Sequence, residues 1–228
     1  APNIPYCVIE AGCNEDDYTD DNRDYKNSNS KKVVFAGTLN VLSGIELIIE
    51  AMQYLEKHDI ELHIYGDGPL REVVNKATEN KVIIYHGRVS NEQMLTIQKQ
   101  VDLLVCPRCA DDYTTKYTFP SKLLEYICAG VPVLSNRLSG IPDEYEKYIN
   151  YSKSEDAEDW AAAIVNIVEK NRDEYWKKAK EAKCKVLQTK IFSFTFSIFS
   201  ICFASYITAS ALLLSKDIII WGMHEKKE

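Results

Sequence analysis

Apolar and polar positions along this chain follow two rhythms. Short apolar runs read as strands: Val33-Val34-Phe35-Ala36-Gly37, Leu62-His63-Ile64-Tyr65-Gly66, Val82-Ile83-Ile84-Tyr85, Leu103-Leu104-Val105 and Val131 through Leu134. Between them, apolar residues recur every three or four positions, the helical period. Over 45–55 the residues Leu47, Ile48, Ala51, Met52 and Leu55 share one face. A second helix follows Asp67-Gly68-Pro69 and carries Val73, Val74 and Ala77. Ser90, with Glu92 and Gln93 behind it, has the signature of a capped helix start. Two further helices are expected over 157–168 and 173–186, the second rich in Lys and Glu.

Strands that are apolar on both faces and alternate with helices predict a doubly wound parallel sheet, α/β and Rossmann-like, covered by helices on both sides. In open sheets of this kind, ligands bind beyond the carboxyl ends of the strands. Gly37, Gly66 and Gly87 each stand at a strand end, so their loops should converge on one crevice.

The segment 119–133, Phe-Pro-Ser-Lys-Leu-Leu-Glu-Tyr-Ile-Cys-Ala-Gly-Val-Pro-Val, is the richest in chemistry. Pro120 has no N–H to donate and fits only at or before a first helical turn. Leu123, Leu124 and Ile127 mark a buried face, and Gly130 is placed to end the helix in a left-handed conformation. This leaves the N–H groups of Ser121 and Lys122 at a helix N-terminus, a seat for a phosphate. Glu125, one turn on, is placed to accept hydrogen bonds from sugar hydroxyls.

Composition narrows the classes. The chain has 228 residues, 46% of them hydrophobic, and a net charge of -7. An acidic balance argues against a nucleic-acid partner. Much of that acidity lies between Glu15 and Asp24, in a polar stretch that reads as an exposed linker. Seven scattered cysteines without disulfide spacing, Cys7, Cys106 and Cys128 among apolar neighbours, fit a reducing cytoplasmic compartment. Cys106-Pro107-Arg108-Cys109 is formally a CxxC, but it has no second pair and no nearby His pair, and reads as two reduced thiols at a strand end. The tail differs from the rest. Residues 191–214 carry no charge, would span about 36 Å as a helix, and are flanked by Lys190 and Lys216. Three readings stand for it: a C-terminal membrane span, which would hold the cytoplasmic domain at the inner face of the membrane, a buried amphipathic end, or a stretch foreign to the fold. The layout expected is therefore an interdomain linker at 1–31, a Rossmann-like domain at 32–186 and an apolar tail at 187–228.

In sequence, about 32–185 resembles the C-terminal, donor-binding domain of a GT-B glycosyltransferase, close to glycosyltransferase family 4 (glycosyl transferases group 1). Four stretches carry the resemblance in order. They are Val33 through Leu39 with Ser43 through Ala51; Leu62-His63-Ile64-Tyr65-Gly66-Asp67-Gly68-Pro69; His86-Gly87-Arg88-Val89-Ser90; and the 119–133 segment. The resemblance implies a retaining hexosyl transfer from a nucleotide-diphosphate sugar, without cofactor or metal, in polysaccharide or glycolipid synthesis. It implies donor contacts from Gly37 and Thr38 on the phosphate side and from the Val89 backbone at the base. Ser121 and Lys122 would meet the diphosphate through backbone N–H groups and Glu125 the ribose hydroxyls, with Phe119 a further donor-binding residue.

Departures sharpen these expectations. The family often carries an Arg after the first glycine and a Lys before the second, where this chain has Thr38 and Ser43. Those two cations normally offset the charge of a leaving diphosphate; Lys122 and Arg108 are the expected replacements. Eight residues before Glu125 the family has a second glutamate, here Tyr117. Asp111-Asp112 reads as solvated loop rather than a metal motif. The catalytic His of such enzymes belongs to an N-terminal Rossmann-like domain that 1–31 is too short to build, and His58, His63, His86 and His224 read as ordinary structure. The chain begins Ala-Pro-Asn, so it reads as a fragment, inactive without that partner domain. The alternative reading is a non-catalytic nucleotide- or partner-binding module.

Overall fold

The computed structural model describes residues 31–110 and 119–190. Several readings fall outside them: the polar linker, Cys7, Asp111-Asp112, Tyr117, His224 and the apolar 191–214 segment. In chain order the elements are β1 (Lys31–Ala36), α1 (Ile45–Ala51), β2 (Ile60–Tyr65), α2 (Arg71–Ala77), β3 (Ile83–Gly87), α3 (Asn91–Gln98) and β4 (Leu103–Cys106). There follow α4 (Ser121–Ala129), β5 (Val133–Ser135), α5 (Asp143–Glu146), β6 (Asn150–Tyr151), α6 (Ala157–Val165) and α7 (Arg172–Lys190).

The strands form one parallel sheet in the order β3-β2-β1-β4-β5-β6. The chain winds outward to β3, returns, and crosses to β4, so the order reverses between β1 and β4. This is the doubly wound, Rossmann-like arrangement, in which ligands bind beyond the carboxyl ends of the strands.

Two cores follow from the two faces. Val34, Leu104 and Val133 point to one side, where Leu123, Leu124 and Ile127 of α4 and Trp176 and Val186 of α7 cover them. Val33, Phe35, Leu62, Ile64 and Leu103 point to the other, beneath Ile45 and Ile48 of α1 and Trp160 of α6. Strands buried on both faces need continuous apolar runs, which is the pattern the sequence carries. α7 is fixed at its start by an ion pair: Arg172 Nη2 donates to Asp102 Oδ1 at 2.6 Å, with the Asp102 side chain fully buried. Asp102 Oδ2 accepts from the Lys32 N–H at 2.8 Å, so one carboxylate ties α7 to β1.

Ser90 caps α3 by accepting from the Gln93 N–H at 3.2 Å, and Gln93 Oε1 accepts from the Ser90 N–H at 3.0 Å. α4 starts after Pro120 and stops at Gly130, whose φ is 71°. Six of its nine residues are buried, so it is the helix most deeply set against the sheet. Several boundaries differ from the sequence expectation. The helix over 45–55 tightens to a 3₁₀ turn at Met52–Leu55, and α6 continues into a π-helical turn at Asn166–Lys170. The strand expected from Val131 begins at Val133, because the chain first leaves the left-handed Gly130 and passes Pro132, which has no N–H for a ladder. α7 runs past 186 to Lys190. Among the described residues no helix is long and apolar enough to cross a membrane.

Candidate functional site

A cleft of about 420 Å³ opens at the carboxyl ends of β1, β2 and β3. Its walls are Ala36, Gly37 and Thr38 after β1, Tyr65, Gly66 and Asp67 after β2, and Arg88, Val89, Asn91 and Met94 between β3 and α3. Lys122 closes it from the first turn of α4. A larger cavity, about 700 Å³, lies away from these loops, between α5, β6, α6 and α7. It holds none of the glycine loops or phosphate-seat residues. There Lys178 Nζ donates to Ile149 O at 3.2 Å and to Asn150 Oδ1 at 2.7 Å, which reads as support for the short edge strand β6.

Main-chain bonds lace the rim of the smaller cleft. Gly37 N–H donates to Tyr65 O at 3.0 Å, Leu39 N–H to Asp67 O at 3.0 Å, and Gly66 N–H to Gly87 O at 2.8 Å. Tyr85 Oη adds a bond to Gly66 O at 2.9 Å. This lacing dictates glycine at 66. Its φ is 136°, and a Cβ there would stand 1.8 Å from the Gly37 carbonyl oxygen.

The sequence-nominated residues divide into two groups. Gly37, Thr38, Val89 and Lys122 line the cleft together. Phe119, Ser121, Glu125 and Arg108 are not in its described lining. Phe119 stacks on Tyr145 with ring centroids 4.9 Å apart and anchors the chain as it enters α4. Ser121 is exposed at the first position of α4, whose opening turn is set by Leu123 N–H donating to Pro120 O at 2.9 Å. Glu125 receives Lys122 Nζ on both carboxylate oxygens at 2.9 Å, and Gln98 Nε2 donates to its Oε1. Arg108 holds its main chain against Asn136, whose Nδ2 donates to the Arg108 carbonyl at 3.0 Å. Ser43 is occupied locally: its N–H donates to Asn40 Oδ1 at 2.9 Å and its Oγ to Asn40 O at 2.6 Å.

Three residues important to this geometry have no role assigned by the sequence pattern, although Tyr126 and Arg88 stand inside its motifs. Gln98 is fully buried on α3 beside Glu125; its signal was a polar residue one turn after buried Met94. Tyr126 is 1% exposed, and its hydroxyl both accepts from the Ala36 N–H at 3.2 Å and donates to the Ala36 carbonyl at 3.1 Å. That hydroxyl thus takes the place of a strand partner at the end of β1. Burial drives the Tyr126 pKa well above the ordinary tyrosine value, with the charges of Cys106 and Glu125 adding to it, so the hydroxyl stays a donor. The third is Arg88, adjacent to Val89.

Around the cleft, Tyr65 stacks on His86 at 4.4 Å, and His86 Nε2 lies 2.9 Å from His63 Nδ1. Burial, then the charges of His63 and Lys32, lowers the His86 pKa. Cys106 is pushed up to about 11, chiefly by burial, which keeps its thiol protonated and poorly reactive. Cys106 and Cys109 are both free thiols. Among the described residues no group of three or more His, Cys, Asp or Glu side chains is arranged to hold a metal.

Sheet order and the laced glycine loops define a doubly wound, Rossmann-like α/β domain, the fold of GT-B glycosyltransferase domains. The chain belongs to the glycosyl transferases group 1 family, whose model matches residues 30–170, well over half of its length. It is 28% identical over 145 residues to the uncharacterized glycosyltransferase MJ1607 of Methanocaldococcus jannaschii, covering 59% of this chain and 35% of that protein. Its fold superposes on Anabaena HepE, solved with UDP and glucose, with a TM-score of 0.64 at 14% identity over 78% of this chain and 49% of that one. On sucrose-phosphate synthase from Thermosynechococcus elongatus the TM-score is 0.69 at 17% identity, over 88% of this chain and 52% of that one. The chain thus spans about a third of the curated relative and about half of each of these two solved structures.

Proposed function

We propose that this chain is the donor-binding, C-terminal half of a retaining glycosyltransferase of family 4. It holds a nucleotide-diphosphate sugar while a hexosyl group passes to an acceptor hydroxyl, in polysaccharide or glycolipid synthesis at the cytoplasmic face of a membrane. The observation that carries the reading is the cleft itself. Glycine loops from three adjacent strands meet the first turn of α4 in one crevice, inside a chain of this family. The diphosphate sits against the Gly37–Thr38 turn and the N–H groups of Ser121 and Lys122, where the helix field favours an anion. The base lies along the Val89 backbone. Glu125, its carboxylate oriented by Lys122 and Gln98, accepts the ribose hydroxyls. Charge that develops on the leaving diphosphate is the load this end of the site must stabilise. In this reading the acceptor site and the catalytic His are supplied by an N-terminal Rossmann-like domain.

A second reading, a non-catalytic nucleotide-binding module, draws on the uncharged Thr38 and on a Lys122 already paired to Glu125. Thermal shift and calorimetry against UDP, GDP and their sugars test the first reading. Stabilisation by one nucleotide, lost in Glu125→Ala and Lys122→Ala, supports it. No response to any nucleotide at millimolar concentration sinks donor binding. Sugar transfer measured with an N-terminal Rossmann-like domain present separates an enzyme from a module.

A further inference from the structure

The cleft presents two cations, Arg88 and Lys122, and one carboxylate, Asp67. Lys122 is committed: both Glu125 oxygens hold its ammonium at 2.9 Å. Asp67 is also engaged, with Oδ1 accepting from the Gly68 N–H at 2.9 Å and Oδ2 lying 3.9 Å from Arg71 Nη1. Arg88 is exposed and makes no ion pair among the described residues. A diphosphate brings two or more negative charges, more than one paired lysine can offset.

The approach to Arg88 is built by glycine. Gly87 has a φ of 71°, yet a Cβ placed there would meet nothing within 4 Å. Glycine at 87 therefore serves the backbone turn and relieves no crowding. That turn comes where β3 ends and the chain reaches the cleft wall at Arg88 and Val89. Arg108, the other arginine the sequence suggested, stands outside the described lining with its carbonyl bound to Asn136.

We propose that Arg88 is the residue that binds the donor's diphosphate in this chain, supplying the cation that Thr38 and Ser43 lack. The inference rests on the donor-site reading above and assigns its principal charge. A guanidinium offers a planar fork of N–H donors that matches two phosphate oxygens at once, which an ammonium cannot do. Arg88 is a binding and positioning residue, poised to favour diphosphates over monophosphates and nucleosides.

The test is calorimetric titration of the 228-residue chain with uridine, UMP and UDP, with the guanosine series in parallel, on the parent, Arg88→Gln and Arg88→Lys. Circular dichroism checks that each variant is folded. Arg88→Gln should weaken diphosphate binding by about 10- to 100-fold, the loss expected for a charge-assisted pair of hydrogen bonds, and leave nucleoside binding unchanged. Arg88→Lys should recover part of the loss, and the salt dependence of diphosphate affinity should flatten in Arg88→Gln. Diphosphate affinity within twofold of the parent in Arg88→Gln overturns the assignment and leaves the donor site standing. An equal loss for nucleoside and diphosphate also overturns it, placing Arg88 at the base. A parent that binds no nucleotide defeats the donor-site reading itself, and the assignment with it.

Discussion

Removing one oxygen atom, in Tyr126→Phe, tests how α4 is joined to the sheet. The ring stays, so packing volume is nearly unchanged and no cavity is made. What is lost is the hydroxyl that accepts from Ala36 N–H at 3.2 Å and donates to Ala36 O at 3.1 Å. Each such bond is worth about 1 kcal/mol net, and a buried group left without a partner costs about 1–3 kcal/mol. Tyr126 is 1% exposed but Ala36 is 7% exposed and borders the cleft, so water can meet part of the need. The expected loss is therefore about 2 kcal/mol. For a domain of this size that lowers Tm by about 4–8 °C. In urea the midpoint should fall by about 0.7–1 M with the slope unchanged. Because the hydroxyl titrates well above its ordinary value, the loss should be constant from pH 6 to pH 9. Tyr85→Phe, which removes one partly buried bond to Gly66 O, is the comparison and should lose less than half as much. A loss under about 0.5 kcal/mol in Tyr126→Phe would refute the view that this hydroxyl completes the end of β1.

Gly66→Ala places a methyl 1.8 Å from the Gly37 oxygen at a φ of 136°, so it should destabilise by about 3 kcal/mol or more and abolish nucleotide binding. Denaturant melts and titration read both, and a stable, binding variant would contradict the close approach. Arg172→Ala removes the ion pair from the buried Asp102 carboxylate, which keeps its bond from the Lys32 N–H, and should lose about 3 kcal/mol by urea denaturation. Asp102→Asn with Arg172→Met together should lose less than the sum of the two singles. His86 binds its proton less readily in the folded chain than in the unfolded one, by burial first and then the charges of His63 and Lys32, with Glu61 paired to His63. Its contribution to stability is therefore full above the unfolded value near 6.5 and is lost as pH falls through the folded value. His86→Gln should flatten the fall of Tm between pH 7 and pH 5, and an unchanged slope would remove His86 as its source.

The elements with long periodic patterns were legible because each rests on local chemistry. Pro120 and Gly130 bracket α4, Ser90 and Gln93 cap α3, and the apolar runs of β1 and β4 fit strands buried on both faces. α5 and β6, four and two residues long, carry too few positions to show a period, and only tertiary pairing with β5 makes β6 a strand. The cleft was legible where it is made of main chain. Gly37, Thr38 and Val89 follow strands, so their convergence is a property of topology. Side-chain reach was not legible. The Tyr126 hydroxyl finds its partner 90 residues away, and nothing around Arg108 in sequence says that the Asn136 amide binds its carbonyl. Gln98 shows its role only once α3 and α4 lie side by side.

The lacing of the rim separates two kinds of change. Gly37, Leu39 and Gly66 donate main-chain N–H groups to the carbonyls of Tyr65, Asp67 and Gly87, so this lacing does not depend on what most neighbouring side chains are, Tyr85 on Gly66 O being the exception. Thr38 and Arg88 line the cleft and take no side-chain part in that lacing, so they can be exchanged without loosening it. A site built this way can alter its charge one residue at a time while the frame keeps its shape. A chain with Thr at 38 and Arg at 88 is then one setting of a rim that tolerates many, and ligand preference can drift faster than the fold.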